Sequence, residues 1–271
     1  MDPLELQRSL RSGKRVYGTL IVSPAPTWAA QMKRIGIDFV FIDTEHIPLD
    51  RHQISWMCQA YKALGLTPVV RVNKADHHLA TMMLDGGADG IIAPYVESVE
   101  EAQMMRGAVK MRPLRGKKVK DIVEGREKLD GELKTYIEEH NRRHILILNI
   151  ESVAGMDALD DILAVPDIDA VLVGPHDLSC SLGIPEEYGH PLFEEAVRTI
   201  FSKARAAGIG AGMHFWSGMD QQIPWAKDAG MNLIIHRADI LNFVASMSND
   251  LAEIRKALGD DAADTGGSLN I

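Results

Sequence analysis

Cysteine is nearly absent from this 271-residue chain: Cys58 and Cys180 are the two present and form no CxxC pair. That leaves no disulfide framework and reads as a reduced, cytoplasmic protein. The start, MDPLELQRSL, lacks the apolar core of a signal peptide. No apolar run approaches the roughly 20 residues that span a bilayer, so no membrane insertion is expected. A basic excess is missing too: the formal net charge is -9, which argues against nucleic acid or an anionic membrane as partner. A small anion can still bind in a local basic pocket. No GxGxxG turn follows the first apolar run, and no internal repeat or linker interrupts the chain.

What is present is ordinary globular composition, 46% hydrophobic and 25% charged, enough for a sizeable core. Short apolar runs alternate with longer amphipathic stretches almost from end to end, the pattern of a parallel α/β sheet. Eight runs predict strands at 16–23, 38–43, 67–72, 89–96, 144–151, 169–175, 209–216 and 232–237. Between them Asp50 with Gln53, and Ser98 with Glu101, have capping-box spacing. A last helix is predicted from Ile240 through Phe243, Val244, Met247, Leu251, Ile254 and Leu258. Eight βα units in this length predict a single-domain (β/α)8 TIM barrel over residues 1–259, with a polar, disordered tail over 260–271. Residues 115–143 break the rhythm with dense charge and read as a solvated helical excursion, a lid or subunit contact being the alternative.

In such a barrel the active site gathers where the strands end. FVFIDTEH (39–46) runs from an apolar strand straight into Asp43, Glu45 and His46. TPVVRVN places Arg71 inside an apolar run, where an unpaired guanidinium is costly. The fifth strand ends in Asn149 and Glu151, the sixth in Gly174, Pro175, His176 and Asp177, and the last two in His214, His236 and Arg237. Each has a plain structural reading: Asp177 could cap a short helix, and a strand-end carboxylate could simply pair with Arg71. Their joint occurrence at one barrel mouth favours chemistry. Two carboxylates without cysteine suit a hard divalent cation, Mg²⁺ or Mn²⁺, better than zinc. His77 and His78 fall at a helix start. Lys74 is the nearest candidate for a covalent amine and reads as exposed, while Ser179 lacks a nucleophile elbow.

The stretches FIDTEH, PVVRVN, LDGGADGIIAPYV, NIES and VLVGPHDLSCSLG resemble the HpcH/HpaI family of metal-dependent pyruvate aldolases, with gaps, from about residue 15 to 258. The resemblance implies a (β/α)8 barrel assembled as a homo-oligomer, typically a hexamer of dimers that exchange the C-terminal helix. It implies reversible aldol cleavage of a 4-hydroxy-2-oxo acid to pyruvate and an aldehyde, with Mg²⁺, Mn²⁺ or Co²⁺ held by Glu151 and Asp177. His46 would be the acid/base, Arg71 would face the pyruvate oxygens, and Asp43 would support the site. Asp85 would pair with the histidine across a subunit boundary. Asn149, Gly174, Pro175 and His176 would line the substrate, the backbone near Gly174 and His176 holding its carboxylate. The chain departs from the family pattern at Asn149, usually glutamine, in RPLRGKK (112–118), and at His214, His236 and Arg237. Other chemistry on the same enolate-stabilising site is the alternative: oxaloacetate decarboxylation, a carbon–carbon synthase, or an acyl-CoA lyase with KKVK at 117–120 as a weak nucleotide contact. A non-catalytic barrel that binds an oxo acid is a third reading.

Overall fold

The computed structural model describes residues 1–216 and 218–261, so most of the predicted tail lies outside the described residues. Strands β1 (Val16–Ile21), β2 (Phe39–Asp43), β3 (Thr67–Arg71), β4 (Gly90–Ala93), β5 (Ile145–Asn149), β6 (Ala170–Val173), β7 (Gly210–Phe215) and β8 (Leu233–Ala238) close in sequence order into one barrel. Every neighbouring pair is parallel, and β8 returns to β1. The helices are α1 (Pro3–Ser12), α2 (Trp28–Arg34), α3 (Arg51–Ala63), α4 (His77–Asp85), α5 (Val99–Lys110), α6 (Gly116–Val123) and α7 (Gly131–Asn141). They continue with α8 (Val153–Asp157), α9 (Leu159–Leu163), α10 (Pro175–Ser181), α11 (Pro191–Ala206), α12 (Met219–Asp228) and α13 (Asp239–Leu258).

All eight predicted strands form, each within about two residues of its apolar run except where chemistry stops it. β4 ends at Ala93 instead of continuing to residue 96, because Pro94 carries no N–H and Tyr95 adopts a left-handed φ of 50°. Strand alternation sorts the core into two clusters. Val16, Leu20, Phe39, Phe41, Val69, Ile92, Ile147, Leu172, Leu233 and Ile235 fill the barrel. Their outward neighbours, such as Val40, Ile42, Val70 and Leu148, pack against the helices.

The N-terminal segment, unassigned by the strand pattern, is helical: the Asp2 side chain accepts from Leu4 N–H, and Gly13 ends α1 at φ 85°. Leu6 and Leu10, one turn apart, join the interior cluster and close the barrel end away from the catalytic mouth. Burying two such side chains contributes about 1.5–3 kcal/mol each. Both predicted caps form, Asp50 with Gln53 as a full capping box and Ser98 accepting from Glu101. Segment 115–143 is helical as expected, but not wholly solvated: Ile122 and Ile137 bury with Met111. No helix among the described residues is long and apolar enough to cross a membrane.

Candidate active site

Adjacent, in-register strands explain the innermost pair. Asp43 stands beside Arg71 where β2 meets β3, both on inward positions. Arg71 Nε and Nη2 donate to the two Asp43 oxygens at 2.8 and 2.7 Å, with Asp43 1% and Arg71 8% exposed. Burial alone would raise the Asp43 pKa, but the Arg71 hydrogen bonds and charge outweigh it, and the carboxyl sits below the ordinary range. Asp43 also accepts from the backbone N–H of Glu45 at 3.0 Å and of His46 at 3.4 Å. The strand exit is therefore folded around this carboxylate. Arg71 lies 5.3 Å from the Phe41 ring centroid, and His214 meets the same ring edge-on at 5.5 Å.

Glu45 was read in the sequence only as part of the strand exit; the structure gives it two partners. Its carboxylate reaches Arg71 Nε at 3.2 Å and His46 Nε2 at 3.9 Å. Desolvation raises its pKa despite Arg71. His46 is half-exposed at the mouth.

Across the mouth, Glu151 is 2% exposed. Its Oε1 accepts from Tyr95 N–H at 2.8 Å, and its Oε2 accepts from Asn149 Nδ2 at 3.0 Å. Burial pushes its pKa up to about 7, with the Asp177 charge adding to the rise. A Cβ on Gly174 would lie 2.0 Å from Glu151 Oε2 and 3.4 Å from Asp177 Oδ2, so this glycine opens the space in which the two carboxylates converge. Asn149 is fully buried, and its Oδ1 has no hydrogen-bond partner. Tyr95 contributes through its strained backbone, and no pattern in the sequence marks it.

These oxygens fit a hard cation. Glu151 and Asp177 supply anionic oxygen donors, the orphaned Asn149 oxygen can accept from bound water or substrate, and no thiolate or imidazole competes among them. Among the described residues no group of three or more His, Cys, Asp and Glu could hold a metal. Two protein carboxylates would leave most of an octahedral shell to water and substrate.

Not every predicted residue enters this cluster. Pro175 is buried at the start of α10, while the exposed His176 ring turns toward Glu186, 3.5 Å away, and Cys180. Asp85, at the far end of α4, pairs with Arg112 and stays half-exposed outside the site of its own chain. His214 donates from Nε2 to the Arg237 carbonyl at 3.0 Å, and burial lowers its pKa to about 4. His236 turns outward to Gln222 at 3.1 Å. His77 and His78 begin α4 behind the Asp76 cap.

Residues 17–231 match the HpcH/HpaI aldolase/citrate lyase family. The chain belongs to this family. A 2-keto-3-deoxy-L-rhamnonate aldolase of Escherichia coli is 32% identical over 203 residues, covering 75% of this chain and 76% of that protein. The crystal structure of an HpcH/HpaI aldolase from Desulfitobacterium hafniense is 25% identical with a TM-score of 0.79, covering 92% of this chain and 96% of the other. Citrate synthase SbnG is 28% identical with a TM-score of 0.80, covering 95% and 100%. This HpcH/HpaI member is a carbon–carbon lyase on a (β/α)8 barrel, in a family that is generally dependent on divalent metals.

Proposed function

We propose that the protein cleaves a 4-hydroxy-2-oxo acid reversibly to pyruvate and an aldehyde, using Mg²⁺, Mn²⁺ or Co²⁺ held by Glu151 and Asp177. The observation that carries this reading is the convergence of the two carboxylates over Gly174, beside the unpartnered Asn149 oxygen and opposite Arg71. A bound divalent cation would polarise the 2-oxo group as a Lewis acid.

The chain's own residues account for the remaining steps. Arg71, held rigid by Asp43, presents fixed positive charge where negative charge develops on the substrate oxygen. Breaking C3–C4 requires the C4 hydroxyl proton to leave, and His46 takes it. The electron pair of the broken bond passes into the pyruvate enolate, which is then protonated at C3 as the His46 imidazolium gives up, directly or through water, the proton it took, restoring the base. Glu45, beside the His46 ring, stabilises the imidazolium that forms. Asp43 positions the base by holding the backbone of residues 45 and 46. Asn149 orients Glu151, and the backbone around Gly174 and His176 holds the substrate carboxylate, with Pro175 lining the substrate. Asp85 would reach a His46 only in a neighbouring subunit.

The test is pyruvate release from 4-hydroxy-2-oxo acids by metal-stripped protein, with and without added metal. Release should require metal, and His46→Ala should slow it about 10²–10⁴-fold. Metal-independent release, or an unaffected His46→Ala, contradicts the reading. Release from oxaloacetate alone would favour decarboxylation on the same site.

Assembly follows from α13. Phe243, Val244, Met247, Leu251, Ile254 and Leu258 are all exposed along this helix, where Asp239 alone is buried. Such a stripe needs cover, and we assign it to a second copy of the chain through helix exchange, giving dimers that build a hexamer. Sedimentation should show a multimer that Phe243→Glu with Leu251→Glu dissociates; a monomeric wild type refutes the assignment. Free Cys58 and Cys180 accord with a cytoplasmic setting.

A further inference from the structure

We propose that His214 selects for a hydroxyl group on the aldehyde half of the substrate, beyond the carbon that becomes the aldehyde carbonyl, by accepting a hydrogen bond from it at Nδ1. The assignment rests on the aldolase reading above and deepens it.

Strand β7 places the ring. Ala211, Met213 and Phe215 pack outward against the helices, so His214 between them points into the barrel, one residue from the C-terminal end of the strand. The contacts agree: the ring meets Phe41, a member of the interior cluster, edge-on at 5.5 Å, and the Arg71 guanidinium lies over the same Phe41 ring. The β6–β7 register pairs Leu172 with Gly212 and Val173 with Met213. One further step sets His214 beside Gly174, over which Glu151 and Asp177 converge. His214 therefore borders the pyruvate half on the β7 side of the mouth, and it remains partly exposed there.

The protonation state of the ring follows from its partners. Nε2 lies 3.0 Å from the Arg237 carbonyl, an oxygen that can only accept, so the proton sits on Nε2. Burial, with the Arg71 charge acting in the same direction, lowers the pKa to about 4, which keeps the ring neutral near pH 7. Nδ1 is left with a lone pair and, among the described residues, no hydrogen-bond partner. An edge contact to Trp216 at 5.9 Å joins Phe41 and the Arg237 carbonyl in fixing the ring, so the acceptor is held in place before substrate arrives. A ring that merely tied β7 to β8 would use Nε2 alone. On the substrate, the carboxylate and keto oxygens of the pyruvate half can only accept, and the C4 hydroxyl gives its proton to His46 at the end of β2. The donor that remains for Nδ1 is a hydroxyl further along the aldehyde half.

The test compares kcat/KM for two 4-hydroxy-2-oxo acids of equal carbon number, one releasing glycolaldehyde and the other acetaldehyde, using metal-loaded wild type, His214→Gln and His214→Asn. The ratio of the hydroxylated to the plain substrate should fall about 3–10-fold in His214→Gln, chiefly through KM. The glutamine amide can still donate to the Arg237 carbonyl in place of Nε2, so the melting temperature of this variant should stay near that of wild type. His214→Asn sets an amide oxygen near the position of Nδ1 but gives up the tie to Arg237. It should keep more of the substrate ratio than His214→Gln while melting lower. Recognition thus follows Nδ1 and stability follows Nε2. A wild-type ratio in His214→Gln, or a ratio that falls in both variants only in step with melting temperature, overturns this assignment alone. Absence of turnover on both substrates in the wild type overturns the aldolase reading with it.

Discussion

Arg71→Met is expected to lower turnover roughly 10²–10³-fold and to destabilise the fold by about 3–5 kcal/mol. Two separable effects meet at this residue. The guanidinium faces the site with fixed charge, so its loss removes stabilisation of developing negative charge. It is also the bidentate partner of Asp43, which is 1% exposed and would be left as an uncompensated buried carboxylate. The pH dependence tells these apart. With Arg71 present, the Asp43 pKa is depressed, so its stabilisation is present above the ordinary carboxylate range and is lost as pH falls through its own lower value. Without Arg71, burial dominates and the sign reverses, the variant losing stability as pH rises. Denaturant unfolding at several pH values measures this directly. Adding Asp43→Asn to Arg71→Met should recover stability without recovering turnover. Full recovery of turnover would remove Arg71 from the chemistry.

Glu151→Gln is expected to reduce metal-dependent turnover by more than about 10²-fold, beyond the 10–100-fold typical of an outer-shell partner. The same substitution should change stability with the opposite pH dependence to Asp43. The Glu151 pKa is raised to about 7, so the stabilisation from its neutral form is complete below about 4.5 and is lost as pH rises through about 7. The difference amounts to on the order of 3 kcal/mol in the metal-free protein. Metal-free Glu151→Gln should lack that loss, and added metal should cancel it in the wild type. Metal must also displace the Glu151 proton, so affinity should fall about tenfold per pH unit below about 7. Flat metal affinity from pH 5 to 8 would contradict the assignment.

Most of the barrel is legible because it depends on one-dimensional signals. Period-2 apolar runs separated by amphipathic stretches specify both the strands and the surfaces they bury, as at Phe39, Val40 and Phe41. The strand-exit rule then gathers Asp43, Arg71, Asn149, Glu151 and Asp177 without any contact information. What escapes is three-dimensional. Tyr95 serves Glu151 by turning its backbone to φ 50°, which no side-chain pattern announces. Glu45, rather than Asp43, lies against the His46 ring, because the Asp43 oxygens are taken by Arg71 and by the turn itself. The solvated look of 115–143 hid Ile122 and Ile137, since three apolar side chains spread over 27 residues make a cluster only after two helices fold back.

The most direct test of the metal–pyruvate site is calorimetric titration of Mn²⁺ into metal-stripped wild type, Glu151→Gln and Asp177→Asn, each with and without pyruvate. The account predicts tight binding in the wild type, strengthened by pyruvate, and loss of both the binding and the strengthening in each variant. Wild-type affinity retained in both variants would show that Glu151 and Asp177 do not hold the metal.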